Sequence, residues 1–88
     1  MSQWNKLINQ VLALDINLRY EDLSKALTRI GYTAKQPRGG SSHVTFRKDG
    51  YMPVTLLKKP QMDKVYVELV KTAVLKYLSE EASKNEES

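Results

Sequence analysis

Cysteine is absent from this chain, and histidine, tryptophan and phenylalanine each occur once. Without thiols there can be no disulfide, no cysteine nucleophile and no zinc site built on sulfur. A single histidine and no tight carboxylate cluster supply too few ligands for a catalytic metal, so we expect no cofactor.

Long apolar runs are missing as well. The longest, VLAL and VTLL, are far shorter than the ~20 residues that cross a bilayer. The N-terminal stretch is interrupted by Asn9 and Gln10 and has no small-residue cleavage site, so we do not expect a signal peptide. We therefore expect a cytoplasmic protein with no membrane partner, and 88 residues provide for one domain.

Positive charge is concentrated in the middle of the chain. The net charge is +4, but residues 79–88 contribute −3, so residues 1–78 carry +7. Residues 35–64 hold seven lysines and arginines against two aspartates. Such a basic segment favours binding to phosphate groups, although a solvated surface is the plainer alternative. The acidic end has no apolar face, and we expect it to be disordered.

Three segments carry the apolar pattern of an amphipathic helix. Apolar residues recur at steps of three and four over residues 2–14, 20–32 and 62–78, which is the spacing of one helix face. Gly31 is well placed to cap the second helix. The stripe predicted for the third consists of Met62, Val65, Tyr66, Leu69, Val70, Ala73, Val74, Tyr77 and Leu78.

Between the second and third helices the pattern changes to alternation, which predicts strands at 43–48 and 51–57 and a shorter one at 32–36. The Asp49–Gly50 pair predicts a tight hairpin between the two longer strands. Pro53 places the last strand at an edge of the sheet, or marks its start. The core-facing positions predicted in the two longer strands are Val44, Phe46, Met52, Val54 and Leu56.

The predicted fold class is α+β. Two helices precede a three-stranded antiparallel meander and a long final helix, and helices cover one face of the sheet while the other stays open. The first helix either completes the core or pairs with a second chain. If Val44 and Phe46 point at the helices, His43 must point outward.

The residues before His43 are rich in groups that bind anions. Gly39 and Gly40 can adopt positive φ and expose backbone N–H groups, and Ser41 and Ser42 add hydroxyl donors. His43 is a proton-transfer group at neutral pH. The cations predicted to bind RNA phosphates around it are Arg38, Arg47, Lys48, Lys58, Lys59 and Lys64.

The stretch YEDLSKALTRIGYTAKQPRGGSSHVTF, followed by MPVTLLKK and DKVYVELV, closely resembles the HicA toxins of bacterial and archaeal type II toxin–antitoxin systems. The most specific part of the resemblance is the Gly-rich turn, the Ser-Ser-His motif and the aromatic residue three positions later. The resemblance divides the chain into an N-terminal helical extension (1–18), a HicA-like domain (19–78) and an acidic tail (79–88).

The resemblance implies a small fold of double-stranded-RNA-binding type and a ribosome-independent mRNA endoribonuclease. The active histidine of the family matches His43, and a HicB-type antitoxin covers this site to hold the toxin inactive. The implied partners are mRNA and a HicB-type antitoxin. Both a homo-oligomer and a hetero-oligomer of toxin and antitoxin remain open.

Cleavage of RNA by its own 2′-hydroxyl needs a base, an acid and positive charge around the phosphorus. We expect His43 to be the principal acid–base group, with the second proton moving through water or a serine hydroxyl. Arg38, Arg47 or Lys48 and the loop N–H groups would stabilise the charge.

Two other functions are compatible with the sequence. A non-catalytic module of double-stranded-RNA-binding type would recognise RNA by shape without cutting it. An interaction protein would oligomerise through the apolar stripe of the first helix, which consists of Trp4, Leu7, Ile8 and Val11.

Overall fold

The computed structural model describes residues 3–35, 42–59 and 62–87. Its elements are the helices α1 (Gln3–Leu12), α2 (Tyr20–Arg29) and α3 (Lys64–Glu87) and the strands β1 (Thr33–Lys35), β2 (His43–Arg47) and β3 (Val54–Leu57). Neighbouring strands pair antiparallel in the order β1-β2-β3. The predicted α+β class and the meander are therefore confirmed.

Helix α2 has clear start and stop signals. The backbone N–H of Arg19 donates to the Asp22 carboxylate at 2.9 Å, which forms one half of a capping box. At the other end the N–H of Gly31 donates to Thr28 and that of Tyr32 donates to Leu27, the bonding pattern of a Schellman motif. Gly31 has φ +110°, a conformation that favours glycine, so the predicted cap is confirmed.

The core lies between the inner face of the sheet and the helices. Val44 and Phe46 on β2 are buried, and the Phe46 ring lies 6.5 Å from that of Tyr20 at the start of α2. Helix α1 contributes to the same core and so completes it within one chain; its buried residues are Leu7, Ile8 and Val11.

The connection between β2 and β3 is longer than predicted. It spans residues 48–53, and the N–H of Tyr51 donates to the Lys48 carbonyl at 3.0 Å across a four-residue turn. Gly50 takes φ +81° in that turn, as a type II turn requires. The strand begins only after Pro53 and lies at the sheet edge, as predicted. Met52 precedes the strand and is 80% exposed, so its predicted core position is wrong.

Helix α3 differs from the prediction in its length and in its buried face. It continues to Glu87, so residues 79–87 are helical and the expectation of a disordered tail is wrong there. Val65 and Leu69 are exposed, whereas Val67 is fully buried. Apolar residues surround much of this helix, so spacing alone could not decide which stripe packs on the sheet. Among the described residues, no helix has the length and apolarity needed to cross a membrane.

Candidate nucleic-acid interface

The side of the sheet away from the helices forms an open face. Strand register places Thr33 opposite Arg47, and Lys35 opposite Thr45, on the same side as His43. These side chains are exposed or half-buried, because no helix covers them. The open face, as described, consists of Thr33, Lys35, His43, Thr45, Arg47, Thr55 and Leu57.

His43 is exposed at the start of β2, so the predicted outward orientation is confirmed. Pairing with β3 continues one residue before it, since the N–H of Lys58 donates to the Ser42 carbonyl at 2.7 Å. Hydrogen-bonded and non-hydrogen-bonded pairs alternate along an antiparallel ladder. His43 and Leu57 therefore form a non-hydrogen-bonded pair, in which the two Cα atoms are closest. The residue that carries the imidazole is thus paired with β3.

The loop predicted to cradle phosphate lies mostly outside the described residues. Arg38, Gly39, Gly40 and Ser41 all fall in the segment 36–41, so their part in the site stays a prediction. Ser42 is described; it is exposed and adjoins His43. The chain thus leads directly from the predicted cradle into the strand that carries the imidazole.

Two cations lie on the open face with His43. Arg47, which the sequence predicted, lies farther along β2, and Lys35 projects from the neighbouring strand. Both line a hollow of about 360 Å³, whose other lining residues are Gly31, Thr33, Lys48 and Asp49. The charges that line the hollow are those of Lys35, Arg47 and Lys48 against the one carboxylate of Asp49, so its net charge is positive. The hollow is therefore suited to an anion.

Sequence reasoning did not select Lys35 or the three threonines of this face. The hydroxyls of Thr45 and Thr55 are 3.1 Å apart across the β2–β3 pair and form a hydrogen bond. Alternation within β1 could have assigned Lys35 to one side of its strand. Only the pairing register shows that this side is the one that carries His43.

Lys48 has other partners than the predicted phosphate. Its ammonium donates to the Ile30 carbonyl at 2.6 Å and lies 4.2 Å from the centre of the Tyr51 ring and 4.8 Å from that of Tyr77. These contacts use one of its three N–H donors and hold the ammonium beside the two rings. The contacts give Lys48 a structural role, and its part in phosphate binding stays a prediction.

Lys48 belongs to a group of residues that joins the β2–β3 connection to α3, which we name the lysine–tyrosine cluster. Lys76 donates to the Gly50 carbonyl and lies 4.5 Å from the centre of the Tyr51 ring. The Tyr51 hydroxyl donates to Glu80. The cluster consists of Lys48, Tyr51, Lys76, Tyr77 and Glu80.

Two tyrosines near this connection have raised pKa values. Burial, followed by the hydrogen bond to Glu80 and the charge of that carboxylate, raises the pKa of Tyr51. Burial also raises the pKa of Tyr32, whose hydroxyl donates to the Met52 carbonyl at 3.1 Å. Both rings stay neutral at physiological pH, in keeping with a structural role.

The three lysines predicted near the start of α3 differ in their contacts. Lys58 follows Leu57 on the covered side, where its ammonium lies 5.8 Å from the centre of the Tyr20 ring. Lys59 pairs with Asp63 at 3.0 Å on the surface. Lys64 is exposed at the first residue of α3. The part of these three lysines in RNA binding stays a prediction.

The arrangement on the open face can position a phosphodiester beside a proton-transfer group. An exposed imidazole on a rigid strand can accept or donate a proton, and Lys35 and Arg47 can bind phosphate oxygens. The described residues contain no group of three or more histidine, aspartate or glutamate side chains that could hold a metal ion.

Comparison with protein-family models, with curated proteins and with solved structures found no match in any of the three. The resemblance to HicA toxins therefore rests on the motif around His43 and its flanking segments.

Proposed function

We propose that this chain is a HicA-type toxin, a cytoplasmic endoribonuclease that cleaves mRNA and is restrained by a HicB-type antitoxin. The proposal includes a fold of double-stranded-RNA-binding type. The observation that carries it is the exposed His43 on an open face that also presents Lys35 and Arg47. This is the proton-transfer group and the charge that the HicA-like motif requires.

The reaction needs no group outside the chain other than water. His43 accepts the proton of a ribose 2′-hydroxyl, whose oxygen then attacks the adjacent phosphorus. A new bond forms between phosphorus and the 2′-oxygen as the bond to the 5′-oxygen breaks, giving a cyclic phosphate and a 5′-hydroxyl. The departing oxygen takes its proton from water or from a serine hydroxyl such as that of Ser42, because one imidazole cannot both accept and donate in the same step.

The open face extends from His43 in a direction that suits an RNA backbone. Alternate residues on one side of a strand are about 7 Å apart, so Lys35 and Thr45 form a second row beyond His43. Thr33 and Arg47 form a third row. Lysine, arginine and threonine are residues that contact phosphate and sugar without selecting a base. The described rows thus support binding along the backbone.

The antitoxin in this proposal covers the same face. Its contact surface must supply carboxylates for Lys35 and Arg47, because the hollow that they line has a net positive charge. Covering this face blocks access of the scissile phosphate to His43. Inhibition and RNA binding are then mutually exclusive.

The test compares the chain with its His43→Ala and His43→Gln variants, each expressed without a partner. We expect the unaltered chain to arrest growth and degrade mRNA, and both variants to relieve these effects. With purified protein we expect cleavage to fall by about 10²–10⁴-fold, the usual range for an acid–base group. RNA affinity should change little, since the cations remain.

A second outcome would favour the non-catalytic alternative. If His43→Ala leaves growth arrest intact and the purified chain binds RNA without cutting it, the protein is an RNA-binding module. In that case Arg47→Ala tests whether the open face binds the RNA. The variant should bind RNA more weakly than the unaltered chain, because removal of a phosphate contact weakens binding across all sequences.

A further inference from the structure

A groove of about 530 Å³ lies between α1 and α2, on the helical side of the molecule. It is separate from the open face, because α2 packs against the inner side of the sheet and α1 packs on α2 and α3. The groove is lined by Trp4, Lys6, Leu7, Gln10, Asp22, Lys25 and Arg29. None of these residues has a part in the proposed reaction.

The groove contains an aromatic–cation pair. Trp4 is half-buried, and the Arg29 guanidinium lies 5.4 Å from the centre of its ring. Leu7 supports the pair from the core. Nucleic-acid bases stack on aromatic rings and on guanidinium planes alike, so this pair is a surface on which a base can lie.

The remainder of the groove is cationic. Lys25 and Arg29 are one helical turn apart on α2, and Lys6 faces them from α1. The carboxylate of Asp22 is already engaged, since it accepts the backbone N–H of Arg19 at 2.9 Å. Three exposed cations beside a stacking surface match the phosphates and base of a nucleotide.

We propose that this groove is a second binding site for single-stranded RNA, remote from His43. A base stacks on the Trp4–Arg29 pair while Lys6 and Lys25 contact the flanking phosphates. An acidic peptide would satisfy the cations but leave the stacking surface unused. The choice of RNA as ligand rests on the proposed function, and the site lets one long RNA contact both sides of the domain.

Trp4 is the only tryptophan in the chain, so intrinsic fluorescence reports on this groove directly. The experiment titrates a short single-stranded oligoadenylate into the His43→Ala protein, which cannot cut it. We expect saturable quenching, because a base stacks on the indole, and weaker binding at higher salt, because phosphate contacts release counterions.

Variants are compared by the anisotropy of a labelled oligoadenylate, because changes at Arg29 alter the fluorescence of Trp4 itself. We expect Lys25→Glu/Arg29→Glu to weaken binding by about tenfold or more, since both a stacking and a phosphate contact are lost. Lys64→Glu/Lys71→Glu makes the same change of charge on α3, outside the groove and outside the lysine–tyrosine cluster, and should weaken it far less. Circular dichroism checks that each variant is folded, and the exposed α2 pair is used in place of Trp4→Ala for that reason.

Three results would overturn the groove proposal: no quenching, equal loss in the two charge-reversal variants, or equal affinity for a duplex of the same length. Tighter binding of polyglutamate than of oligoadenylate would also overturn it, in favour of an acidic protein partner. A further measurement distinguishes the groove proposal from the endoribonuclease proposal. It follows cleavage of a short RNA by the Lys25→Glu/Arg29→Glu variant in which His43 is intact. Retained cleavage without groove binding rejects only the groove, and groove binding without any cleavage rejects only the endoribonuclease.

Discussion

Arg47 and Lys48 are adjacent in the chain and have opposite surroundings. Arg47 projects from the open face, whereas the ammonium of Lys48 is held by the Ile30 carbonyl and by two tyrosine rings. Both carry one positive charge, and both were predicted to bind phosphate. Charge is the same at both positions and does not tell them apart. The side of the strand on which a basic residue lies decides whether its charge faces solvent or packs against the protein.

The largest expected effect tests the two faces of β2 directly. We expect Phe46→Ala to lower the free energy of unfolding by about 3–5 kcal/mol, because it removes a fully buried ring. Thr45→Ala, one residue earlier on the open face, should lower it by no more than about 1 kcal/mol. Urea unfolding followed by circular dichroism measures both. Equal losses would mean that the helices do not bury the Phe46 face of β2 more than the Thr45 face.

The next effect separates the two adjacent cations. Lys48→Met keeps the aliphatic stem and removes the ammonium, so we expect a loss of about 1.5–3 kcal/mol of stability, the range for hydrogen bonds to charged groups. Arg47→Met should leave stability within about 0.5 kcal/mol but reduce the slope of log affinity for RNA against log salt by about one. The opposite assignment of losses would place Lys48 rather than Arg47 among the RNA contacts.

A smaller effect concerns the lysine–tyrosine cluster at alkaline pH. The pKa of Tyr51 is raised in the folded state, by burial and by Glu80, so neutral Tyr51 stabilises the fold below its unfolded pKa of about 10. Above that pH this contribution is lost, because only the unfolded tyrosine ionises readily. We expect the difference in unfolding free energy between the unaltered chain and Tyr51→Phe to be constant below about pH 10 and to decline above it.

The matched control for this pH dependence is Tyr66→Phe, which removes the hydroxyl of a half-buried tyrosine of α3 that packs against the core. Urea unfolding at a series of pH values measures both variants. A difference for Tyr51→Phe that stays constant through strongly alkaline pH would show that Glu80 and burial do not hold the Tyr51 proton.

The smallest effect is expected outside both regions. Lys59 and Asp63, four residues apart in the chain, form an exposed ion pair just before α3. Lys59→Gln should change the free energy of unfolding by less than about 1 kcal/mol, as exposed pairs do, and should not alter RNA affinity. A large loss of affinity would place Lys59 among the RNA contacts.

Local pattern was sufficient for the parts of the fold that local geometry determines. Alternation oriented His43 and Phe46 correctly, Gly31 marked the end of α2, and Pro53 marked the start of an edge strand. Each of these rests on the backbone preference or the side-chain period of a few neighbouring residues.

Features that depend on long-range contacts could not be predicted in the same way. Lys35 shares a face with His43 only because of the β1–β2 register. Lys48 is held by residues of α2 and α3 that are distant in sequence. Likewise, Val67 is buried and Val65 exposed, a choice between two apolar residues of α3 that apolar spacing does not determine.

The position of β2 in the middle of the sheet has a consequence for motion. Thr45 and Phe46 of β2 pair with both neighbouring strands, whereas β1 and β3 each have one neighbouring strand among the described residues. We expect the amide hydrogens of β2 to exchange with deuterated solvent more slowly than those of its neighbours. His43 lies two residues before this doubly paired stretch, so under the proposed function we expect the RNA to adjust its own torsion angles to meet the imidazole.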